Sequence, residues 1–163
     1  MKTIFLNRFF YPDHSATSQM LSDLAFGLVE RGKNVAVITS RLKYDDPDVV
    51  LPAFECIRGV NIHRIWTARF GRSNLFGRAI DYVTFYISAS WFVWRLAGPG
   101  DIVVSKTDPP MLGVPAVPLA RLKGASPVNW LQDLFPEVAQ ALDFSGRKAH
   151  IFFDYSARLE MDR

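Results

Sequence analysis

An alternation of short apolar runs with amphipathic stretches constrains this chain more than any other feature. Residues 3–6 form a β-prone apolar run that closes at Asn7. Met20, Leu21, Leu24, Leu28 and Val29 then recur at helical spacing, with Asp23 and Glu30 among the polar positions. Ser15 or Thr17 can cap that helix, and Gly32 stands where a helix ends. Residues 35–38 supply the next buried run, so residues 3–39 read as one βαβ unit with parallel strands.

A polar loop follows over residues 41–52. Residues 54–57, Arg58-Gly59 and residues 60–66 read as a hairpin whose second arm alternates. A basic glycine-containing loop covers residues 69–74, and a long aromatic helix runs over residues 75–96 until Gly98-Pro99-Gly100 stops it. Residues 101–105 are another buried strand, residues 114–122 a helix with prolines in its first turns, and residues 128–131 a further strand. Residues 150–163 look helical. The expectation is a single α/β domain over residues 1–163, Rossmann-like, with a doubly wound, mostly parallel sheet and helices on both faces.

Composition excludes several classes. The chain is 49% hydrophobic and 21% charged, which belongs to a folded protein rather than a disordered one. At 163 residues it can bury roughly 70% of its unfolded surface without disulfide staples. A single Cys56 rules out an intrachain disulfide and a multi-cysteine zinc site, and is expected as a small buried hydrophobe. A net charge of +3 is too mild to argue for nucleic acid. The N-terminal apolar run is too short for a secretory signal, which reads as cytoplasmic. Tyr82 to Trp94, the most apolar stretch, would span about 20 Å as a helix, short of a roughly 30 Å hydrocarbon core.

Ligands of doubly wound sheets sit beyond the carboxyl ends of the strands, which directs attention to three loops. Residues 8–16 exceed the roughly 2–6 residues usual for a strand-to-helix connection. They carry Tyr11-Pro12-Asp13-His14-Ser15 and lead into Ala16-Thr17-Ser18-Gln19, where a helix N-terminus suits an anion. The plainer reading is that Ser15 and Thr17 only cap and His14 lies on the surface. The dinucleotide fingerprint and the Walker A sequence are both absent. Ser105-Lys106-Thr107-Asp108-Pro109-Pro110 is a proline-stiffened loop that sets Lys106 and Asp108 either toward a ligand or into solvent. In Trp130-Leu131-Gln132-Asp133-Leu134-Phe135-Pro136-Glu137, an amide and a carboxylate fall where a strand ends, and can orient sugar hydroxyls. Asp133 can act as a general base on an acceptor hydroxyl or merely cap the next helix, with Glu137 complementing its dipole.

The residues Phe10-Tyr11-Pro12-Asp13 with Ser15-Ala16-Thr17, Arg31-Gly32-Lys33-Asn34-Val35, Gly59-Val60-Asn61-Ile62-His63-Arg64, Thr107-Asp108-Pro109-Pro110 and Gln132-Asp133-Leu134-Phe135-Pro136-Glu137 occur in an order and spacing with a counterpart. Through them the chain resembles the N-terminal half of a glycosyltransferase family 4 enzyme of the GT-B fold. It is most similar to bacterial transferases that build surface polysaccharides. The resemblance implies a retaining, metal-independent transfer from a nucleotide sugar to a glycan or lipid-linked acceptor, with no cofactor. It implies two Rossmann-like domains, of which these residues form the acceptor side. The nucleotide-sugar-binding C-terminal domain, with its paired glutamates, is expected to be missing, so the chain reads as a truncated half. Carried over, Ser15, Ala16 and Thr17 contact the donor phosphates, and Asp133 is the catalytic candidate. Tyr11, His14, Lys106, Asp108, Gln132 and Glu137 are the acceptor-side candidates. Many relatives have glycines where this chain has Ser-Ala-Thr, and His-Asp where it has Gln132-Asp133.

Arg64, Arg69, Arg72 and Arg78 precede Phe85, Tyr86, Trp91, Phe92 and Trp94, a pairing that suits an anionic bilayer surface. Apolar residues nonetheless surround the helix, as in one packed between a sheet and its neighbours. The combined expectation buries its core and leaves Phe70, Leu75 and Phe76, with the arginines, against a peripheral membrane surface. An alternative function is a non-catalytic partner or membrane-docking subunit that recruits a separate donor-binding domain.

Overall fold

The computed structural model describes residues 1–44, 46, 48–70 and 75–132. The chain divides into two compact units, Met1–Trp130 and Leu131–Arg163, and only Leu131 and Gln132 of the second are described. In chain order the elements are β1 (Lys2–Leu6), α1 (Ala16–Glu30), β2 (Asn34–Ser40), β3 (Phe54–Ile57), β4 (Val60–Ile65), α2 (Leu75–Leu96), β5 (Ile102–Lys106), α3 (Gly113–Leu122) and β6 (Ser126–Trp130).

They build one six-stranded sheet in the order β3-β4-β2-β1-β5-β6, an α/β architecture of Rossmann-like type. All neighbours pair in parallel except β3, which runs antiparallel to β4 at the edge. The hairpin between them turns on Arg58 and Gly59, both at positive φ (48° and 81°), the conformation that a two-residue turn between twisted strands requires. A side chain at position 59 would also meet the Val29 side chain at 2.7 Å, so glycine is needed twice over.

Alternate side chains of each strand enter different cores. Ile4, Leu6, Ile38, Ile65 and Val103 pack with Phe85, Ala89 and Val93 of α2 and Ala116 and Ala120 of α3. Phe5, Val35, Val37, Ile62 and Val104 pack on the opposite face with Leu21, Ala25 and Phe26 of α1. Helices therefore cover both faces. The chain leaves β1 for β2 through α1 on one side, then crosses through α2 to β5 on the other, which puts the topological switch point between β1 and β5.

Three expectations change. Cys56 is exposed, because its position on edge strand β3 has no covering helix. Helix α2 buries only part of its circumference: Phe85, Ala89 and Val93 face the sheet, while Phe76, Val83, Ile87, Trp91 and Trp94 remain exposed. Arg64 points inward to the Tyr11 carbonyl and the Glu55 carboxylate, so it offers nothing to a membrane. Arg69 is ion-paired with Asp48 at 3.7 Å, and Arg72 lies outside the described residues. Phe70, Leu75 and Phe76 are exposed as expected. The expected helix over residues 150–163 lies outside the described residues.

The two faces of α2 make opposite predictions. Phe85→Ala removes a fully buried ring and lowers stability by about 3–5 kcal/mol, whereas Ile87→Ala changes it by no more than about 0.5 kcal/mol, measured by chemical denaturation.

Candidate functional site

The loops after β1 and β5 meet at the switch point. The backbone ladder continues past β1, with Asn7 N–H donating to the Ile38 carbonyl at 3.2 Å and Arg8 N–H to the Asp108 carbonyl at 2.8 Å. The Arg8 carbonyl accepts from Ser40 N–H at 2.9 Å and from the Thr39 hydroxyl at 3.0 Å. Arg8, two residues beyond β1, thus ties the loop after β1 to the end of β2 and to the loop after β5.

Asp13 organises the first loop from inside. Its buried carboxylate accepts from Ser15 N–H at 2.9 Å through Oδ1 and from Tyr44 N–H at 2.5 Å through Oδ2. The Ser18 hydroxyl closes on the Asp13 carbonyl at 3.1 Å. Ser15 occupies the N-cap of α1 without a side-chain cap bond, because Asp13 already engages the local backbone. The Ser15 hydroxyl is left buried with no hydrogen-bond partner, as is that of Thr107 in the loop after β5. The N–H groups of Ala16 and Thr17 belong to a helix's first turn, where intrahelical acceptors are lacking. These donors at the start of α1 and the unused hydroxyls are what the rim can offer a polar ligand.

Two contacts bridge the crevice. The Thr17 hydroxyl donates to Asp108 Oδ2 at 3.4 Å, and Lys106 Nζ donates to the Thr17 carbonyl at 2.8 Å. Lys106 departs from its expected place in a loop: it is the last residue of β5 and only 1% exposed. Its ammonium lies 4.3 Å from the centre of the Trp130 ring. Burial pulls its pKa down to about 8, against an opposing pull from Asp108. Lys106 therefore holds the rim together from beneath rather than lining it.

Helix α2 adds residues that the sequence patterns did not assign to this site. The Arg8 guanidinium pairs with buried Asp81 at 3.7 Å and lies against the rings of Phe9 and Tyr82. Tyr86 donates to the Pro110 carbonyl. Burial raises its phenol pKa, Tyr82 and Asp108 push the same way, and Arg8 opposes them. The signal that could have found Asp13 is a carboxylate two residues ahead of the N-cap Ser15, a placement that turns favour. Asp81 and Tyr86 carry no site signal in the sequence, because only the crossover of α2 brings them to Arg8 and to the loop after β5.

Of the expected site residues, Ser15, Ala16, Thr17 and Asp108 gather at this rim. Tyr11 is exposed and packs edge-on against Phe26 at 5.8 Å. His14 is exposed, and its carbonyl accepts from the Gln19 side chain at 2.7 Å. Gln132 follows two residues after β6. Asp133 and Glu137 lie outside the described residues. His63 sits mid-strand between Phe54 and Phe92, with its pKa lowered by burial and by Lys2. Among the described residues no group of three or more His, Cys, Asp or Glu side chains is arranged to hold a metal ion. No helix among them is long and apolar enough to cross a membrane. No protein-family model matches the chain, and no curated protein matches it.

The Lys106 shift fixes the sign of a pH effect. Below about pH 8 the lysine is charged in both folded and unfolded chains, and the desolvation cost is fully present. Between about pH 8 and the ordinary value of 10.5 the folded protein holds fewer protons than the unfolded chain, so this group makes stability rise with pH. Denaturation midpoints across that window should show the increment in the wild type and lose it in Lys106→Met.

Proposed function

We propose that these residues form the acceptor-binding half of a retaining glycosyltransferase, which moves a sugar from a nucleotide sugar to a lipid-linked glycan. The observation that carries this reading is the meeting of Thr17 and Asp108 across the switch point, beside a Ser15 hydroxyl with unused hydrogen-bonding capacity. A doubly wound sheet concentrates its ligands at such a crevice. The resemblance seen in the sequence assigns donor phosphates to the same Ser15-Ala16-Thr17 turn.

In this reading the start of α1 receives the phosphates on its N–H groups. Asp108, Tyr11 and His14 orient acceptor hydroxyls. The resemblance also gives Gln132 and Asp133 an acceptor role, with Asp133 taking the proton from the attacking hydroxyl and Glu137 nearby in sequence. Lys106 is a positioning residue, which fixes Thr17 to the end of β5. The donor-binding wall of the cleft comes from a second Rossmann-like domain. A lipid-linked acceptor sets the reaction at a membrane surface, where the enzyme is peripheral.

Titration calorimetry with a soluble analogue of the acceptor glycan and a panel of nucleotide sugars tests the reading. Acceptor binding is expected, and Asp108→Ala should weaken it about tenfold, or about 1.4 kcal/mol. Binding of neither class, or sugar transfer by these 163 residues alone, overturns the proposal.

A further inference from the structure

Helix α2 is 22 residues long, about 33 Å at the usual rise, and lies across the sheet with one face uncovered. Phe76, Val83, Ile87, Trp91 and Trp94 fall at spacings of 7, 4, 4 and 3, which places them along one side of the helix, and all are exposed. Ile87 is 66% and Trp91 59% exposed. Leu122, at the end of the neighbouring α3, is exposed as well. An apolar row of this length is more than the scattered exposure ordinary surfaces carry.

Charge is of one sign on this face. Helix α1, on the other side of the sheet, meets both signs: Asp23 and Glu30 are exposed, Glu30 pairs with exposed Arg58, and exposed Arg31 follows the helix. The one acidic residue of α2 is Asp81, which is buried and paired with Arg8, and α3 contains none. The cations on this face are Arg95 of α2, Arg121 of α3, and Lys123 just beyond it. The Lys123 ammonium lies 4.9 Å from the centre of the Trp94 ring, so a cation accompanies an exposed indole.

We propose that the outer face of α2 and α3 docks on a bilayer containing anionic lipid, with α2 lying flat in the interface. The tryptophans and aliphatic side chains enter the boundary between headgroups and chains, and the cations meet the headgroup phosphates. A second copy of the chain fits this face less well. Pairing this face with itself would bring together two surfaces that carry Arg95, Arg121 and Lys123, with no exposed acid on α2 or α3 to balance them. The inference deepens the membrane placement proposed above, but it uses no property of sugar transfer, so vesicle binding without glycan or nucleotide sugar tests it separately.

The experiment is co-sedimentation of the purified chain with vesicles of phosphatidylcholine alone, and with vesicles in which about one third is phosphatidylglycerol. Binding to the mixed vesicles, with a blue shift of tryptophan emission, is expected to exceed binding to phosphatidylcholine by tenfold or more. Ile87→Glu with Trp91→Glu should reduce it at least tenfold at unchanged far-ultraviolet circular dichroism. Leu24→Glu on the opposite face should leave it intact. Arg95→Glu with Arg121→Glu should remove the preference for phosphatidylglycerol. Absence of binding to the mixed vesicles overturns the proposal, and so does binding that survives the Ile87 and Trp91 changes. A dimer that those changes dissolve, with no vesicle binding, overturns it by assigning the face to a second copy.

Discussion

Strand β1 is enclosed on every side, and the rest of the structure follows from that enclosure. Its edges pair in parallel with β2 and β5, and its side chains enter both cores, Ile4 and Leu6 on one face and Phe5 on the other. A parallel strand buried in this way can be joined to its neighbours only by crossovers, and here they depart in opposite directions, through α1 and later through α2. The separation of those departures opens the crevice beyond β1 and β5. Each candidate residue at the rim owes its position to this divergence.

The rim is held by polar groups that the fold has withdrawn from water. A buried carboxylate or ammonium is costly unless its hydrogen-bonding capacity is met. Asp13 meets it with the backbone N–H groups of Ser15 and Tyr44, and Lys106 with the Thr17 carbonyl and the Trp130 ring. Arg64 reaches the Tyr11 carbonyl from β4. These contacts fasten a long connecting loop at several points along its length. A ligand at the crevice would meet a surface already ordered, which lowers the conformational cost of binding.

Local pattern made most of the elements legible. The βαβ unit, the hairpin through Arg58-Gly59 and the bounds of α2 at Leu75 and Leu96 all follow from periodicity and glycine placement. The two prolines after it make Lys106 read as a loop residue, set toward a ligand or into solvent. In fact the strand runs one residue further, and the lysine lies beneath α1. Apolar residues occupy most sides of α2, so the sequence reads as a buried helix core with Leu75 and Phe76 outside. Such composition cannot say which side lacks a neighbour, and Ile87 and Trp91 face outward. Cys56 misled for the same reason, since its exposure reflects the edge position of β3.

The amino-acid sequence by itself determined the α/β class, the succession of elements and the loops in which polar chemistry collects, because these depend on spacing along the chain. Tertiary structure alone decided that Thr17 meets Asp108, that Arg8 meets Asp81 and that one side of α2 is left bare. Those contacts join residues dozens of positions apart. They exist only once β5 crosses to the far side of β1, an arrangement of strands that no local propensity encodes.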